Sequence, residues 1–486
     1  MEYVSTRGNG RNTPSAAVLK GLAPDGGLYI YPELAGLNFD WRTCIEKPVY
    51  AMAAMILSAL LPDYRDMDKL VEQAYQGKFQ GGELSPLVKA GDFYVLELFH
   101  GPTSAFKDVA LSMLPRLMTA GRAMNGTVGK TVILTATSGD TGKAALEGFR
   151  DVDGTEIIVF YPDGGVSPVQ RAQMVTQQGK NVHVCAVRGN FDDCQRGVKE
   201  AFAALSGKEP AGTRLSSANS INIGRLVPQI VYYFSAYAQL VHSGEIKAGE
   251  TADFSVPTGN FGDILAGYMA KLLGLPVGKL ICASNANRVL TDFFTTGIYD
   301  RRREFVRTSS PSMDILVSSN LERLLYLFSG CDGDKVRGYM DELNQNGVYA
   351  IDREMLARIR ETFDGACCDE AGTAQEIGRV WRELGYLCDP HTAVAFAAAR
   401  EHCRPGHKTV ILSTASPYKF PAAVLSAIGG EPSGDEFEEM RRLRALSGVE
   451  IPENLVGLQE KPVLHTDVIG AKDITAYVSK LLEDMA

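Results

Sequence analysis

Several features that would define a protein class are scarce or missing in this chain of 486 residues. Its nine cysteines are odd in number and form no Cys-x-x-Cys motif, which argues against a zinc site or a disulfide framework. No apolar run approaches the roughly 20 residues that a membrane-spanning helix needs. The first residues also lack the charged segment and apolar segment of a signal peptide.

Positive charge is in short supply as well. Lysine and arginine together number 49, against 58 aspartates and glutamates, and the formal net charge is −9. This balance provides no basic footprint for nucleic acid. We therefore expect a cytoplasmic protein with free thiols, without a metal site, and with neither nucleic acid nor a membrane as its partner.

The sequence does contain a regular alternation of predicted strands and helices. A chain of this length exceeds what one hydrophobic core covers, so we expect two or three domains. The alternation predicts an α/β fold with parallel sheets covered by helices on both faces. We predict a mostly helical N-terminal extension over residues 1–90, a first α/β domain over 91–245 and a second over 246–486. Residues 300–380 are expected to be mainly helical and show no chemical motif.

One stretch combines a predicted strand, a turn and the start of a helix. The apolar run from Phe93 to Phe99 indicates a buried strand, and Thr103 or Ser104 is predicted to cap the helix that follows. Lys107 then lies in the first helical turn, where the helix dipole disfavours a cation. Lys107 is therefore either a solvated surface lysine or one altered by chemistry, such as a Schiff base with an aldehyde.

Two further stretches have the order strand, glycine loop, helix. The loops are 138–142, after the strand 131–137, and 259–262, after the strand 254–258. Glycines in such loops can serve only to make tight turns. They can also present free backbone N–H groups at a helix start, which is a site for an anion. Two such loops beside a candidate Schiff-base lysine indicate two anions, a cofactor phosphate and a substrate carboxylate.

Strand ends are where ligands collect in parallel α/β sheets, and Lys107, both glycine loops and Thr414 all follow predicted strand ends. A dinucleotide site would need Gly-x-Gly-x-x-Gly after the first strand, and none occurs there. A nucleoside-triphosphate loop built around Gly142 and Lys143 would span residues 137–144. It would need a glycine in place of Thr137 and a hydroxyl residue in place of Ala144. We therefore expect one site of a different class.

The motifs in this chain resemble the threonine synthase family of pyridoxal-phosphate enzymes, in its longer microbial branch. Four stretches carry the resemblance in the family's order, residues 101–108, 135–142, 257–263 and 413–421. The N-terminal stretches 3–8 and 18–28 fit the family as well, so the resemblance runs from about residue 3 to about residue 425. It implies fold type II, the tryptophan synthase β-like class, with two parallel-sheet domains and a helical N-terminal extension.

The resemblance also implies roles for the residues that hold pyridoxal 5'-phosphate. Lys107 would form the Schiff base and move protons, which requires a pKa near the working pH. Thr414 would lie beside the pyridine nitrogen, with Ser413 as the competing hydroxyl one residue earlier. The cofactor phosphate would be held by Gly259, Asn260, Phe261, Gly262 and Asp263, although a carboxylate is an odd neighbour for a phosphate and the alternative role of Asp263 is to cap the helix.

A second group of residues is implied to bind the substrate. The loop residues Ser138, Gly139, Asp140, Thr141 and Gly142 would hold its α-carboxylate, with Asp140 shaping the loop. Asn219, Ser220, Asn222 and Arg225 would meet its phosphate or carboxylate through charge-assisted bonds, unless they form only a polar turn. Lys143 is either a phosphate contact or solvated, and His100 and His391 are expected to be structural.

The reaction that the resemblance implies converts O-phospho-L-homoserine and water to L-threonine and phosphate. There are two alternatives, one with the same fold but a different reaction and one without enzymatic activity. The enzyme could be a related phospholyase or a threonine or serine dehydratase, or the chain could be a degenerate protein that only binds the cofactor. The intact Lys107 and both loops argue against the last. A monomer or homodimer acting on a small-molecule substrate is expected.

Overall fold

A computed structural model describes residues 1–8, 10–127 and 129–485. The strands are β1 Tyr3–Ser5, β2 Arg11–Asn12, β3 Tyr29–Ile30, β4 Leu87–Ala90, β5 Phe93–Glu97, β6 Lys130–Ala136, β7 Thr155–Pro162, β8 Val182–Arg188, β9 Thr213–Ser217, β10 Ala252–Pro257, β11 Val277–Ser284, β12 Ile298–Asp300, β13 Val348–Ala350, β14 Phe363–Cys367, β15 Lys408–Ser413 and β16 Asp467–Gly470. The helices are α1 Pro14–Lys20, α2 Trp41–Ile45, α3 Val49–Leu60, α4 Met67–Tyr75, α5 Lys107–Met124, α6 Asp140–Phe149, α7 Pro168–Val175, α8 Phe191–Leu205, α9 Ile223–Leu226, α10 Ile230–His242, α11 Gly262–Leu272, α12 Val289–Thr296, α13 Leu321–Phe328, α14 Gly333–Asn346, α15 Arg353–Arg360, α16 Glu370–Leu384, α17 Pro390–His402, α18 Pro421–Ala427, α19 Glu436–Ser447 and α20 Ile474–Met485.

Two sheets form the body of the protein. The larger has six strands in the order β14-β11-β10-β15-β5-β4, and its neighbours are parallel except for β4, which runs antiparallel to β5. The smaller is fully parallel, with the order β16-β8-β7-β6-β9. Strands such as β7 and β10 are buried along their whole length, as expected for parallel sheets covered on both faces. The predicted α/β class is confirmed.

The sheets do not follow the predicted ranges 91–245 and 246–486. Strand β5 pairs with β15, where Tyr94 lies opposite Val410, and so belongs to the larger sheet. At the other end of the chain, β16 pairs with β8 and α20 packs on α8, so the C-terminal segment joins the smaller sheet. Local sequence patterns cannot show which sheet β5 or β16 joins, because strand pairing depends on residues hundreds of positions apart. Whether the predicted ranges fold as separate units stays a prediction.

The N-terminal segment contains the expected helices, α1 to α4, but also a small antiparallel sheet in the order β2-β1-β3. Strands of two or three residues are too short to leave a periodic pattern in the sequence. Residues 300–380 are mainly helical, as predicted. Helix α10 buries its aromatic side chains in the main core, so that face is not a binding surface.

Candidate active site

Three neighbouring strands of the larger sheet deliver the predicted cofactor residues to one edge. Strands β10, β15 and β5 are parallel and adjacent, and they lead to Gly259, Thr414 and Lys107 respectively. The Phe106 amide, next to Lys107, donates to the Thr414 carbonyl at 2.9 Å. The smaller sheet contributes the predicted substrate residues in the same way, because Ser138 follows β6 and Asn219 follows its neighbour β9.

The amine of Lys107 is buried, with 9% of the residue exposed. Its Nζ donates to Ser312 Oγ at 3.3 Å and lies 4.0 Å from Asp140 Oδ2. Burial lowers the pKa of Lys107 from 10.5 to about 8, while the nearby Asp140 carboxylate opposes the change. A lysine with this pKa is partly neutral near physiological pH, as a base or a nucleophile must be.

The predicted capping of α5 is wrong. Lys107 does lie in the first turn of α5, but the helix has no side-chain cap. The Thr103 hydroxyl and amide both donate to the Asp108 carboxylate, the amide at 2.9 Å, and Ser104 donates instead to Asn454. Burial raises the pKa of Asp108 to about 6, although the two bonds from Thr103 oppose this. The Thr103 hydroxyl, which was expected to cap α5, therefore donates to the Asp108 carboxylate in the first turn of that helix.

The loop between β10 and α11 presents free amides. The carbonyl of Gly259 accepts from Ser318, and that of Asn260 accepts from the Asn320 amide and side chain. Phe261 adopts a left-handed conformation, with φ of 63°. In the described parts of the chain, no acceptor meets the amides of residues 260–263. Such amides at the start of an eleven-residue helix form an anion site, which fits the phosphate of the implied cofactor.

Gly259 is packed too closely for any side chain. A Cβ added there would lie 2.4 Å from the carbonyl oxygen of Ser312, a backbone atom. Ser312 is also the residue that accepts from Lys107, so the glycine loop and the amine share one neighbour. Asp263, at the start of α11, has its main-chain carbonyl and Oδ1 bonded by Tyr233, while its Oδ2 is buried without a partner in the described structure. Burial raises the pKa of Asp263 to about 7, which makes it compatible with an anion nearby.

The two competing hydroxyls at the end of β15 face different surroundings. Ser413 Oγ lies 3.0 Å from Thr392 Oγ1 and accepts from the Tyr386 hydroxyl at 3.4 Å. The Thr414 side chain is buried and has no hydrogen bond within the described residues. Of the two, Thr414 retains a free hydroxyl.

The loop after β6 is held by Thr137, whose Oγ1 accepts from the amides of Gly139 and Gly142 at 3.0 and 2.8 Å. Gly139 has φ of 137°, and an added Cβ would lie 2.3 Å from the Gln170 side chain. Ser138 and Thr141 are half-buried, and their hydroxyls bond to no described residue. Asp140 is buried within an ion pair with Lys419, a side chain that the sequence analysis did not single out.

In the segment after β9, some polar side chains make hydrogen bonds within the fold and others have no partner among the described residues. Asn222 caps α9 through its Oδ1 and donates from Nδ2 to Val18, so both ends of its side chain are used by the fold. Asn219 is exposed and Ser220 half-buried. Arg225 is buried and donates from Nη1 to Ala218, but its Nε has no partner in the described structure. Burial lowers the pKa of Arg225 to about 10.

The histidines and Lys143 have protein partners. His391 Nδ1 lies 2.5 Å from Asp389 Oδ2, and its Nε2 accepts from the Ser312 amide at 3.2 Å. His100 pairs with Glu97 at 2.7 Å. Lys143 contacts Gln177 and Glu147. These contacts agree with the structural interpretation of both histidines, and His391 additionally fixes the residue that touches Lys107.

Sequence reasoning missed two residues that contact the central groups. Ser312 lies in the segment 300–380, where no motif marked it, and only the tertiary fold brings it to Lys107. Lys419 stands inside the stretch 413–421 that carried the resemblance, and a charged residue between apolar ones was the available signal.

A buried lysine with a pKa of about 8 lies beside a glycine loop with free amides, where parallel strands end. This combination defines a pyridoxal-phosphate-dependent enzyme. The family described as "Pyridoxal-phosphate dependent enzyme" matches residues 82–415. The descriptions "Threonine synthase N terminus" and "Threonine synthase, C-terminal" match residues 2–75 and 392–478. The chain belongs to the threonine synthase family, and its cofactor is pyridoxal 5'-phosphate.

Individual relatives agree with this assignment. The threonine synthase of Pseudomonas aeruginosa is 42% identical, covering 92% of this chain and 96% of its own length. That of Saccharomyces cerevisiae is 37% identical, over 88% and 89%. Threonine synthase-like 1 of Homo sapiens is 39% identical over 85% of this chain, which spans 58% of that longer protein. The solved structure of PLP-bound threonine synthase from Brucella melitensis has a TM-score of 0.86 and 38% identity, covering 100% of this chain and 99% of that one.

Two features are absent from the described residues, 1–8, 10–127 and 129–485. No helix there is long and apolar enough to cross a membrane. No group of three or more metal-ligating side chains was found in the same ranges.

Proposed function

We propose that this chain converts O-phospho-L-homoserine and water to L-threonine and phosphate, with Lys107 as the residue that bonds the cofactor and moves protons. The observation that supports this most is the buried Nζ of Lys107, with a pKa of about 8, beside the glycine loop. When bound, pyridoxal phosphate withdraws electrons from the substrate and so acidifies its α-carbon. The chain's own residues supply everything else, which is binding, orientation and proton transfer.

The proposed cofactor contacts come from the larger sheet. The free amides of Gly259, Asn260, Phe261 and Gly262, with that of Asp263, hold the phosphate. The Thr414 hydroxyl meets the pyridine nitrogen, because Ser413 is already engaged by Thr392 and Tyr386. Ser312 orients Lys107 Nζ through the 3.3 Å bond.

The proposed substrate contacts come from the smaller sheet. The loop of Ser138, Gly139, Asp140, Thr141 and Gly142 holds the α-carboxylate through the amides that Thr137 does not engage and through the hydroxyls of Ser138 and Thr141. Arg225, whose buried Nε lacks a protein partner in the described structure, binds the substrate phosphate together with Ser220 and Asn219. Asn222 supports this segment by capping α9. Lys107 takes the α-proton and returns it, inside a site that excludes water except for the one that adds at the β-carbon.

The proposed enzyme is cytoplasmic and works as a monomer or homodimer on its small-molecule substrate. Its cysteines are free thiols, as a reducing compartment favours.

A product assay tests the reaction. Purified protein supplied with O-phospho-L-homoserine and pyridoxal phosphate should release threonine and phosphate in equal amounts. A phospholyase or dehydratase would instead yield a keto acid such as 2-oxobutyrate, and a protein that only binds the cofactor would yield neither. Either result would contradict the proposal.

The two hydroxyls at the end of β15 give a second test. Thr414→Val removes the proposed contact to the ring nitrogen with little change in shape, and we expect kcat to fall roughly fivefold, since one hydrogen bond contributes on the order of 1 kcal/mol. The matched change, Ser413→Ala, should leave kcat closer to the parent value and lower the melting temperature, because its bonds lie within the fold. Steady-state kinetics and thermal melts of both variants decide. A larger loss of kcat in Ser413→Ala would reverse the assignment.

A further inference from the structure

Lys419 is a fully buried lysine next to the proposed site. It lies in the turn Pro417–Lys419 after β15, and none of its side chain is exposed. Its Nζ donates to Asp140 Oδ1 at 2.6 Å and to the Thr103 carbonyl at 3.0 Å. A buried cation is costly unless it is paired and hydrogen-bonded, so a lysine in this position needs an explanation.

Asp140 lies between two amines. Its Oδ1 meets Lys419 and also accepts from Gln170 at 2.9 Å, whereas its Oδ2 is 4.0 Å from Lys107. Burial alone would raise the pKa of Asp140, but Lys419 and Lys107 outweigh it and hold that pKa below its usual range. Asp140 is therefore a carboxylate, and it keeps the shorter contact with Lys419.

We propose that Lys419 is a positioning residue that holds and neutralises Asp140, so that the carboxylate does not capture the Lys107 amine as an ion pair. The inference rests on the proposed role of Lys107. A Lys107 ammonium locked to Asp140 would be unable to attack an aldehyde or to accept a proton, since both tasks need the free electron pair.

The charged groups that face Lys107 come from four other parts of the fold. Asp140 belongs to α6, Lys419 follows β15, Arg225 belongs to α9 and Asp263 to α11, while Asp108 is on the same helix as Lys107. Burial has the largest effect on Lys107, and after it Asp140 favours the charged amine while Lys419 and Arg225 oppose the charge. Removing Lys419 leaves the full charge of Asp140 directed at Lys107.

The experiment measures how readily Lys107 bonds the cofactor as pH changes. Full-length variants are mixed with pyridoxal phosphate across a range from about pH 6 to about pH 10, which brackets the usual lysine value and the lowered one. The neutral amine condenses with the aldehyde and releases water. Borohydride then delivers hydride to the carbon, the nitrogen gains a proton, and a stable secondary amine remains. Peptide mass spectrometry quantifies this product at Lys107 and at other lysines.

Four variants are compared with the parent. In Lys419→Met the pH midpoint at Lys107 should rise by about one unit or more, the size of shift that an opposite charge causes. Asp140→Asn should lower the midpoint, and Lys419→Met combined with Asp140→Asn should bring it back to the parent value or below. Lys419→Arg keeps the cation and should stay within about half a unit of the parent. The pH profile of kcat/KM should move in the same directions.

An unchanged midpoint in folded Lys419→Met would overturn the inference, and so would a midpoint that stays high in the double variant. Circular dichroism identifies variants that fail to fold. If Lys419→Met is among them, Asp140→Asn decides, because an unchanged midpoint there excludes any influence of the carboxylate on Lys107. Failure of the proposed function looks different, since the parent would then show the reduced product at lysines other than Lys107.

Discussion

Replacing Lys107 with alanine is expected to abolish turnover, lowering kcat by more than about 10⁴-fold, since the amine is both the covalent anchor and the proton carrier. The visible absorbance of the lysine-bound cofactor should vanish in the same variant. Absorbance spectra and threonine formation from O-phospho-L-homoserine measure the two effects separately.

The control for this variant is Lys107→Arg. Arginine keeps a cation near Ser312 and Asp140 but does not condense with the aldehyde at neutral pH, because its guanidinium stays protonated. It should be as inactive as Lys107→Ala while unfolding at a temperature closer to that of the parent. Lysine-bound absorbance that persists in both variants would contradict the assignment of Lys107.

Gly259→Ala should weaken cofactor binding by about 100-fold or more. The added methyl would lie 2.4 Å from the Ser312 carbonyl, and this backbone cannot yield without moving the loop that supplies the free amides. The cofactor-free protein should also lose roughly 1–3 kcal/mol of stability, the usual cost of overpacking. Titration with pyridoxal phosphate and thermal melts measure these effects.

The same loop contains a matched control in Gly262→Ala. The nearest atom to an added Cβ there is 3.6 Å away, which is ordinary van der Waals contact. The cofactor-free form of this variant should melt close to the parent. If it loses as much stability as Gly259→Ala, the close approach of Ser312 is not the cause.

The strands, loops and helices that carry the candidate site were predictable because their signals are local. The strand before Lys107, the helix that begins at it and the glycine loops before α6 and α11 all lie within short stretches, where residue type and spacing carry the information. The family resemblance then assigned the cofactor. The fold class followed from the alternation of strands and helices in the same way.

What the sequence could not show are contacts set by distant pairing. Ser312 reaches Lys107 across 205 residues, in a segment without a motif. The cap expected from Thr103 failed because Asp108, five residues later, competes for its hydroxyl. Strand β5 joined the larger sheet because β15, more than 300 positions away, provides its hydrogen bonds. In each case tertiary contacts decided between locally reasonable alternatives.

The order β10-β15-β5 has a consequence for how the enzyme handles its two ligands. Adjacent strands are about 4.8 Å apart and joined by hydrogen bonds. The larger sheet therefore fixes the distance between the proposed phosphate loop at Gly259 and the amine of Lys107. The residues proposed to grip the substrate are carried by β6 and β9 of the other sheet. The proposed cofactor contacts and the proposed substrate contacts are therefore carried by different sheets, so a substitution in the loops after β6 or β9 leaves the spacing of β10, β15 and β5 unchanged.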